Sequence, residues 1–204
     1  MVGETPEQME DEIDGRVARR ERNREAVVDA IMVLVKAGEV EPAMSDVAAL
    51  AGVSERSIFR HFESREALLA AVIERQLEVA GSYLRVIPAE GPVADRVRAL
   101  VLERARLYEE ITPMRRAALR VVDRSDLVAA QLHTARLWFR DELETLFARE
   151  LNRRSVPDRR DLLAGIDLAA SWEAWNVLRE HEGCSVVRAR RVTARMLTRQ
   201  LQTG

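Results

Sequence analysis

Apolar residues recur at three- and four-residue intervals along nearly the whole chain, the spacing that lines one face of an α-helix. Val27, Val28, Ile31, Leu34 and Val35 make one such stripe, Leu68, Ala71, Val72 and Val79 a second, and Val93, Val97, Leu100 and Val101 a third. No convincing two-residue alternation marks a strand, so the pattern predicts an all-α protein. Punctuation divides the stripes. Pro88, Gly91 and Pro92 separate a fourth helix from a fifth, and Thr112 with Pro113 reads as a cap followed by proline at the first helical position. Ser125 and Asp126 open a helix carrying Val128, Leu132, Ala135, Phe139, Leu143 and Leu146. Ser155, Pro157 and Asp158 open the next, expected to run to about Gly183, and Ser185 opens the last, to about Gln202. Nine helices are expected, with no long linker and no internal repeat.

One segment has a tighter rhythm than the rest. Val47, Ala48 and Leu50 give a short helix an apolar face, Gly52 stands where a left-handed turn residue is wanted, and Ser54 can cap a helix starting at Glu55. Two short helices joined by such a turn are the pattern of a helix-turn-helix, whose second helix enters a DNA major groove. Ile58 and Phe62, four apart, are expected to face inward, leaving Arg56, Ser57, Arg60 and His61 on or near the other face, as donors for phosphates and guanine edges. A charged outer face is also ordinary for any surface helix, so periodicity alone leaves hairpin and DNA reader open.

From about Arg19 to Leu69 the sequence resembles the amino-terminal domain of the TetR family of bacterial transcriptional regulators. The resemblance rests on Val47 and Ala48, on Ala51 to Ser54, on Ser57 to Phe62 and on Ser64 to Leu69, in order and nearly without gaps. It implies a TetR-like nine-helix architecture, a three-helix helix-turn-helix domain followed by a larger helical domain for effector binding and dimerisation. It also implies that Arg19, Arg22, Ser45, Ser54, Arg56, Ser57, Phe59, Arg60, His61 and Arg65 meet double-stranded operator DNA. Departures from the family pattern carry their own expectations. Pro42 and Ala43 replace a common Thr-Thr pair, which removes a hydroxyl able to cap the first reading-head helix and touch phosphate. Phe59 replaces a common Tyr, keeping a ring for packing and losing a phosphate-binding hydroxyl. Arg65 stands for a Lys and can hold a phosphate through two donors. Glu55 is either a first-turn acid favoured by the helix dipole or an acceptor for a cytosine amino group.

Charge and composition constrain these readings. The 204 residues, 47% hydrophobic and 32% charged, suffice for one sizeable core and a small satellite domain. A net charge of -2 and a pI near 6.0 mean that any grip on DNA must come from local placement of cations. Arg16, Arg19, Arg20, Arg22 and Arg24 supply such a cluster, unless they simply pair with Glu21 and Glu25 on a solvated helix. Residues 1–15 are acidic and read as a mobile tail, 16–64 as the DNA-binding domain and 65–204 as the effector and dimerisation domain. A lone cysteine, Cys184, rules out an internal disulfide framework, and the absence of a membrane-length apolar run or a basic-then-apolar amino terminus suggests the cytoplasm.

Self-association and ligand sensing are the expected tasks of the larger domain. The penultimate helix carries Leu162, Leu163, Ile166, Leu168, Ala169, Trp172, Trp175 and Leu178, an apolar surface broader than one core-facing stripe needs. The last adds Val186, Val187, Val192, Met196, Leu197 and Leu201. The resemblance implies that these helices pair with their copies in a homodimer, with Leu168, Trp175, Leu178, Val192, Met196 and Leu197 at the joint. It also implies a pocket among the middle helices, for which Tyr108, Met114, Leu119, His133, Trp138, Phe139 and Trp172 are candidate lining for a lipophilic or planar effector of unknown identity. Any bundle interior contains such residues, so ordinary core is the competing reading for each. His181, Glu182 and Cys184 lie close in sequence without a second ligand pair, and no phosphate loop, nucleophile elbow or paired-histidine motif is present. No catalytic residue, metal or cofactor is expected. The competing functions are a TetR-like regulator without a small-molecule effector and, more distantly, a helical interaction protein or enzyme that does not bind DNA.

Overall fold

The computed structural model describes the backbone of residues 6–202 and the side chains of residues 17–202. Ten α-helices and no strand occur among the described residues: α1 (Pro6–Lys36), α2 (Met44–Ala51), α3 (Glu55–His61), α4 (Arg65–Tyr83), α5 (Val93–Val121), α6 (Asp126–Leu146), α7 (Ala148–Leu151), α8 (Val156–Ala169), α9 (Trp172–Asn176) and α10 (Val186–Gln202). Two compact units share them. One comprises residues 1–77 and 113–127, the other 78–112 and 128–204. The expected border at residue 64 therefore falls inside the first unit, and α4 begins in that unit and ends in the other.

In the first unit, Val27, Val28, Ala30, Met32 and Val35 of α1 are buried together with Val47 and Ala48 of α2, Ile58 of α3, Phe62, and Ala71 and Val72 of α4. Val27, Val28 and Val35, with Val47 and Ala48, are as the periodicity marked them, whereas Ile31 and Leu34 are half-buried, Ala30 and Met32 join the core, and Leu50 is exposed. The buried set holds the short helices α2 and α3, which could not persist alone. Where composition predicts a tail over residues 1–15, the backbone is helical from Pro6 on, and residues 1–5 lie outside the described residues. Glutamates, arginines and alanines, all good helix formers, fill much of α1.

The second unit has two apolar clusters. Val97, Leu100, Leu143, Phe147, Leu151, Ile166 and Leu197 anchor one, and Leu107, Tyr108, Trp172, Trp175, Cys184 and Ala189 anchor the other. Two buried arginines are built into this interior. Arg96 donates to both oxygens of Glu150, at 2.6 and 3.0 Å, and to the Leu146 carbonyl, while its guanidinium lies 5.4 Å from the Phe147 ring centroid. Arg104 donates to Glu142 at 2.6 Å and stacks 3.8 Å from the centroid of Phe139. Pairing and stacking are what make a buried guanidinium tolerable.

Helix boundaries differ from the expected nine in two instructive places. Thr112 and Pro113 start no helix, because α5 runs through them to Val121. Pro113 has no N–H to donate back to the previous turn, and the neighbouring Thr112 hydroxyl donates to the Tyr108 carbonyl. The expected single helix from Ser155 to Gly183 is instead split. α8 stops at Ala169, Ser171 caps α9 by accepting from the Ala174 N–H at 3.1 Å, and residues Val177–His181 form a π-helical turn. The short helix α7 has no counterpart in the sequence pattern.

Candidate nucleic-acid interface

The turn between α2 and α3 is fixed by local chemistry. Gly52 adopts φ 68° and ψ 29°, a left-handed conformation that costs other residues roughly 1–2 kcal/mol. Its geometry lets the Val53 N–H reach back to the Ala48 carbonyl at 3.0 Å, closing α2. Ser54 is extended and its Oγ accepts from the Ser57 N–H at 3.2 Å, the N-cap of α3. The Ser54 and Ser57 hydroxyl oxygens also lie 2.9 Å apart and share a hydrogen bond. Ala43 at the start of α2 provides no side-chain cap, as its methyl group dictates. Ser64 Oγ accepts from the Ala67 N–H at 3.1 Å and opens α4.

These caps set which side of α3 meets solvent. Ile58 and Phe62 are buried, and the Arg24 guanidinium lies 5.0 Å from the Phe62 ring centroid. Glu55, Arg56, Phe59 and Arg60 are exposed, and Ser57 is half-buried. Arg19, Arg22, Ser45, Ser54 and Arg65 are exposed as well, whereas Arg24 is partly covered by its place over Phe62. Two positions depart from expectation. Phe59, expected to pack, leaves 66% of its surface in solvent. His61, expected among the outward donors, is only 5% exposed, and neither ring nitrogen has a hydrogen-bond partner. The reason is helical geometry, since His61 lies three residues beyond Ile58 and beside Phe62 and so falls on the inner face. Burial first, then the positive charges of Arg60 and Arg20, push its pKa below the ordinary 6.5.

A short helix with a left-handed glycine turn, a serine-capped partner helix and two exposed arginines on that partner is the arrangement of a DNA-reading head. Residues 28–72 match the sequence profile described as bacterial regulatory proteins, tetR family. Over that segment the chain is similar to the amino-terminal domain of the TetR family. Over 83 residues it is also 36% identical to the HTH-type transcriptional repressor LfrR of Mycolicibacterium smegmatis; the match covers 40% of this chain and 43% of that protein, so it spans less than half of the relative's length. In fold, the chain is similar to a transcriptional regulator from Rhodococcus sp. Rha1, with a TM-score of 0.65, 18% identity, and coverage of 90% of this chain and 96% of that one.

Of the residues considered for an effector pocket, Tyr108, Trp172 and Phe139 pack into one apolar cluster, with the Tyr108 and Phe139 rings edge-on at 6.3 Å between centroids, and the others are placed differently. Met114 and Leu119 belong to the first unit, and Leu119 is 43% exposed. His133 is exposed on α6, and Trp138 leaves 47% of its surface in solvent, edge-on to Phe139 at 5.1 Å between centroids. Trp172 is core, its indole N–H donating to Thr112 Oγ1 at 3.0 Å. Tyr108 borders a small cavity, with Arg104, Ala170, Ser171, Trp175 and Thr193 among its neighbours there. That cavity measures about 10 Å³, close to the minimum of roughly 10–15 Å³ that admits one water. Arg104 and Thr193 were legible only as a charge and a hydroxyl amid apolar spacing, with no signal that the fold would bury them there.

The dimer residues divide in a similar way. Trp175 and Leu197 are internal to the chain, 3% and 0% exposed, and the Trp175 indole N–H donates to Glu109 at 2.9 Å. Leu178 and Val192 are half-buried. Leu168 and Met196 are exposed, as are Val177 and Val187 nearby in sequence. The surplus apolar breadth of residues 155–183 has a simple origin. The break at Ala170 and Ser171 re-aims the chain, so both tryptophans turn inward from α9 instead of widening the face of α8. Gln200 of α10 lies over Gly165 of α8, in the space a side chain there would need.

Among the described residues no cluster of three histidine, cysteine or acidic side chains could hold a metal ion, and no helix is long and apolar enough to cross a membrane. Cys184 is buried in the second cluster, while His181 and Glu182 are exposed.

Proposed function

We propose that this chain is a TetR-type DNA-binding transcriptional regulator, a repressor that grips a palindromic operator as a homodimer. The observation that carries the reading is the outer face of α3. There Arg56 and Arg60 stand exposed on a helix whose start is fixed by the Ser54 cap and whose inner side is anchored by Ile58 and Phe62. Guanidinium groups on a recognition helix pair with guanine O6 and N7, and exposed Arg19, Arg22 and Arg65 add donors for phosphate. The repressor named among its relatives supports the sign of regulation, and a cytoplasmic location goes with a DNA partner. Two-fold operators require two reading heads about 34–36 Å apart, which supports a dimer joined through the exposed Leu168, Val177, Val187 and Met196. Incubating the purified protein with a random DNA pool and sequencing what it retains tests this directly. Recovery of an inverted repeat supports the reading; recovery of no preferred sequence overturns it.

Control by a lipophilic or planar effector would run through α4, which begins in the unit of the reading head and ends in the other. By linkage, such an effector and operator DNA would weaken each other's binding by one common factor. The small size of the cavity beside Tyr108 favours a second reading of control. Drug-sized ligands occupy pockets of roughly 300–1,000 Å³, and a cavity of about 10 Å³ fits a regulator governed by its abundance or by a protein partner. A compound screen monitored by operator release separates the two: a hit restores effector control, and a silent screen leaves the effector-free regulator.

A further inference from the structure

We propose that Phe59 reads the 5-methyl group of a thymine in each operator half-site, an inference that rests on the DNA-binding reading above. Arg56, Phe59 and Arg60 stand at positions i, i+3 and i+4 of α3 and all three are exposed, with Arg60 opposite the buried Ile58 and Phe62 and Phe59 on the flank between Arg56 and Phe62. The Phe59 phenyl ring, 66% exposed on a helix that also exposes Arg56 and Arg60, is the one large apolar side chain that α3 presents to solvent. The ring has neither a donor nor an acceptor, so it cannot take up a phosphate oxygen or a hydrogen-bonding base edge. In the major groove the one apolar group offered by the four bases is the thymine methyl, and phenylalanine is among the side chains that cover it. Arg56 and Arg60 bring the helix to the groove. The Ser54 and Ser57 hydroxyls share one hydrogen bond and offer only polar contacts, so the ring is the apolar contact that α3 provides. The operator should accordingly carry a thymine within a base pair or two of the guanines read by the arginines.

The test uses the operator recovered by selection. A set of duplexes is made in which each thymine in turn is replaced by deoxyuridine, which keeps every hydrogen bond and removes only the methyl. The full chain should bind one symmetry-related pair of substituted sites more weakly, by about fourfold for each methyl lost from an apolar contact. Phe59→Ala should bind the natural operator more weakly and become indifferent to the uridine at that position. Arg60→Ala should also bind more weakly yet keep its sensitivity to the methyl. An unchanged circular dichroism spectrum is expected for Phe59→Ala, because the ring is exposed. Tight operator binding that ignores uridine at every position overturns the inference, as does sensitivity that survives in Phe59→Ala. Selection that recovers no operator removes the DNA-binding reading itself, and the assignment of Phe59 with it.

Discussion

His61 shows how one residue can be misplaced by a pattern and then constrain chemistry. As a polar residue beside Arg60 it reads as a donor for DNA, yet three-residue spacing from Ile58 carries it inward, where both ring nitrogens lack partners. The folded head favours its neutral form, because burial, with Arg60 and Arg20 nearby, lowers its pKa below 6.5. The unfolded chain then binds the proton more readily than the folded one, so stability is full above about pH 6.5 and declines as pH falls from there toward the lowered value. Thermal melting at pH 7.5 and pH 5.5 should show this loss in the wild type, and His61→Gln should reduce it, since His133 and His181 are exposed. A loss of equal size in His61→Gln would contradict the assignment. Glu109 titrates in a lower window. The Arg179 hydrogen bond outweighs burial and, with help from Trp175, holds its carboxylate pKa down, so its contribution vanishes only as pH falls through that depressed value. Gly52 and Ser54, by contrast, were fully legible in the sequence, because a left-handed turn and an N-cap each depend on one residue type at one position.

At the scale of elements, legibility followed how local the cause was. The helices α1, α2, α4 and α5 fell where the periodicity put them, although Leu50 of α2 is exposed, and α3 began at its cap. The errors came where a local signal competed with packing. Threonine followed by proline is a sound start signal, yet Tyr108 and Leu107 before it and the residues after it continue one helix through Pro113. The two interpretations make opposite forecasts. Proline at a first helical turn is well placed, so its loss would be neutral or harmful, whereas interior proline costs as much as about 3 kcal/mol relative to alanine. Pro113→Ala should therefore raise the midpoint of chemical denaturation; an unchanged or lowered midpoint would contradict a continuous α5. The split of residues 155–183 was hidden for a different reason. Ser171 is an ordinary cap residue, but leucines and tryptophans on both sides preserve helical spacing across it, and only the fold shows that the tryptophans turn inward.

For the molecule as a whole, the sequence announced the fold class and the reading head, since both rest on periodicity and short-range signals. It could not separate residues that close the chain's own core from those left for a partner, because both are apolar at helical spacing. The structure separates buried from exposed apolar positions, which gives the proposed dimer a paired test. Met196→Glu, at a position 41% exposed, should leave the chain folded and weaken the dimer, whereas Leu197→Glu, fully buried, should unfold it by placing an unpaired carboxylate in the core. Light scattering with circular dichroism distinguishes the outcomes, and a folded Leu197→Glu dimer would contradict the packing. The central claim, that this is a sequence-reading DNA-binding protein, is tested most directly by titrating the selected operator and a scrambled duplex across roughly 50–200 mM salt. The account predicts that affinity for both falls steeply with salt and that the operator is preferred by about a thousandfold or more. It also predicts that Arg60→Ala loses about 1–3 kcal/mol of that preference. Equal affinity for the two duplexes, or a preference untouched in Arg60→Ala, would contradict it.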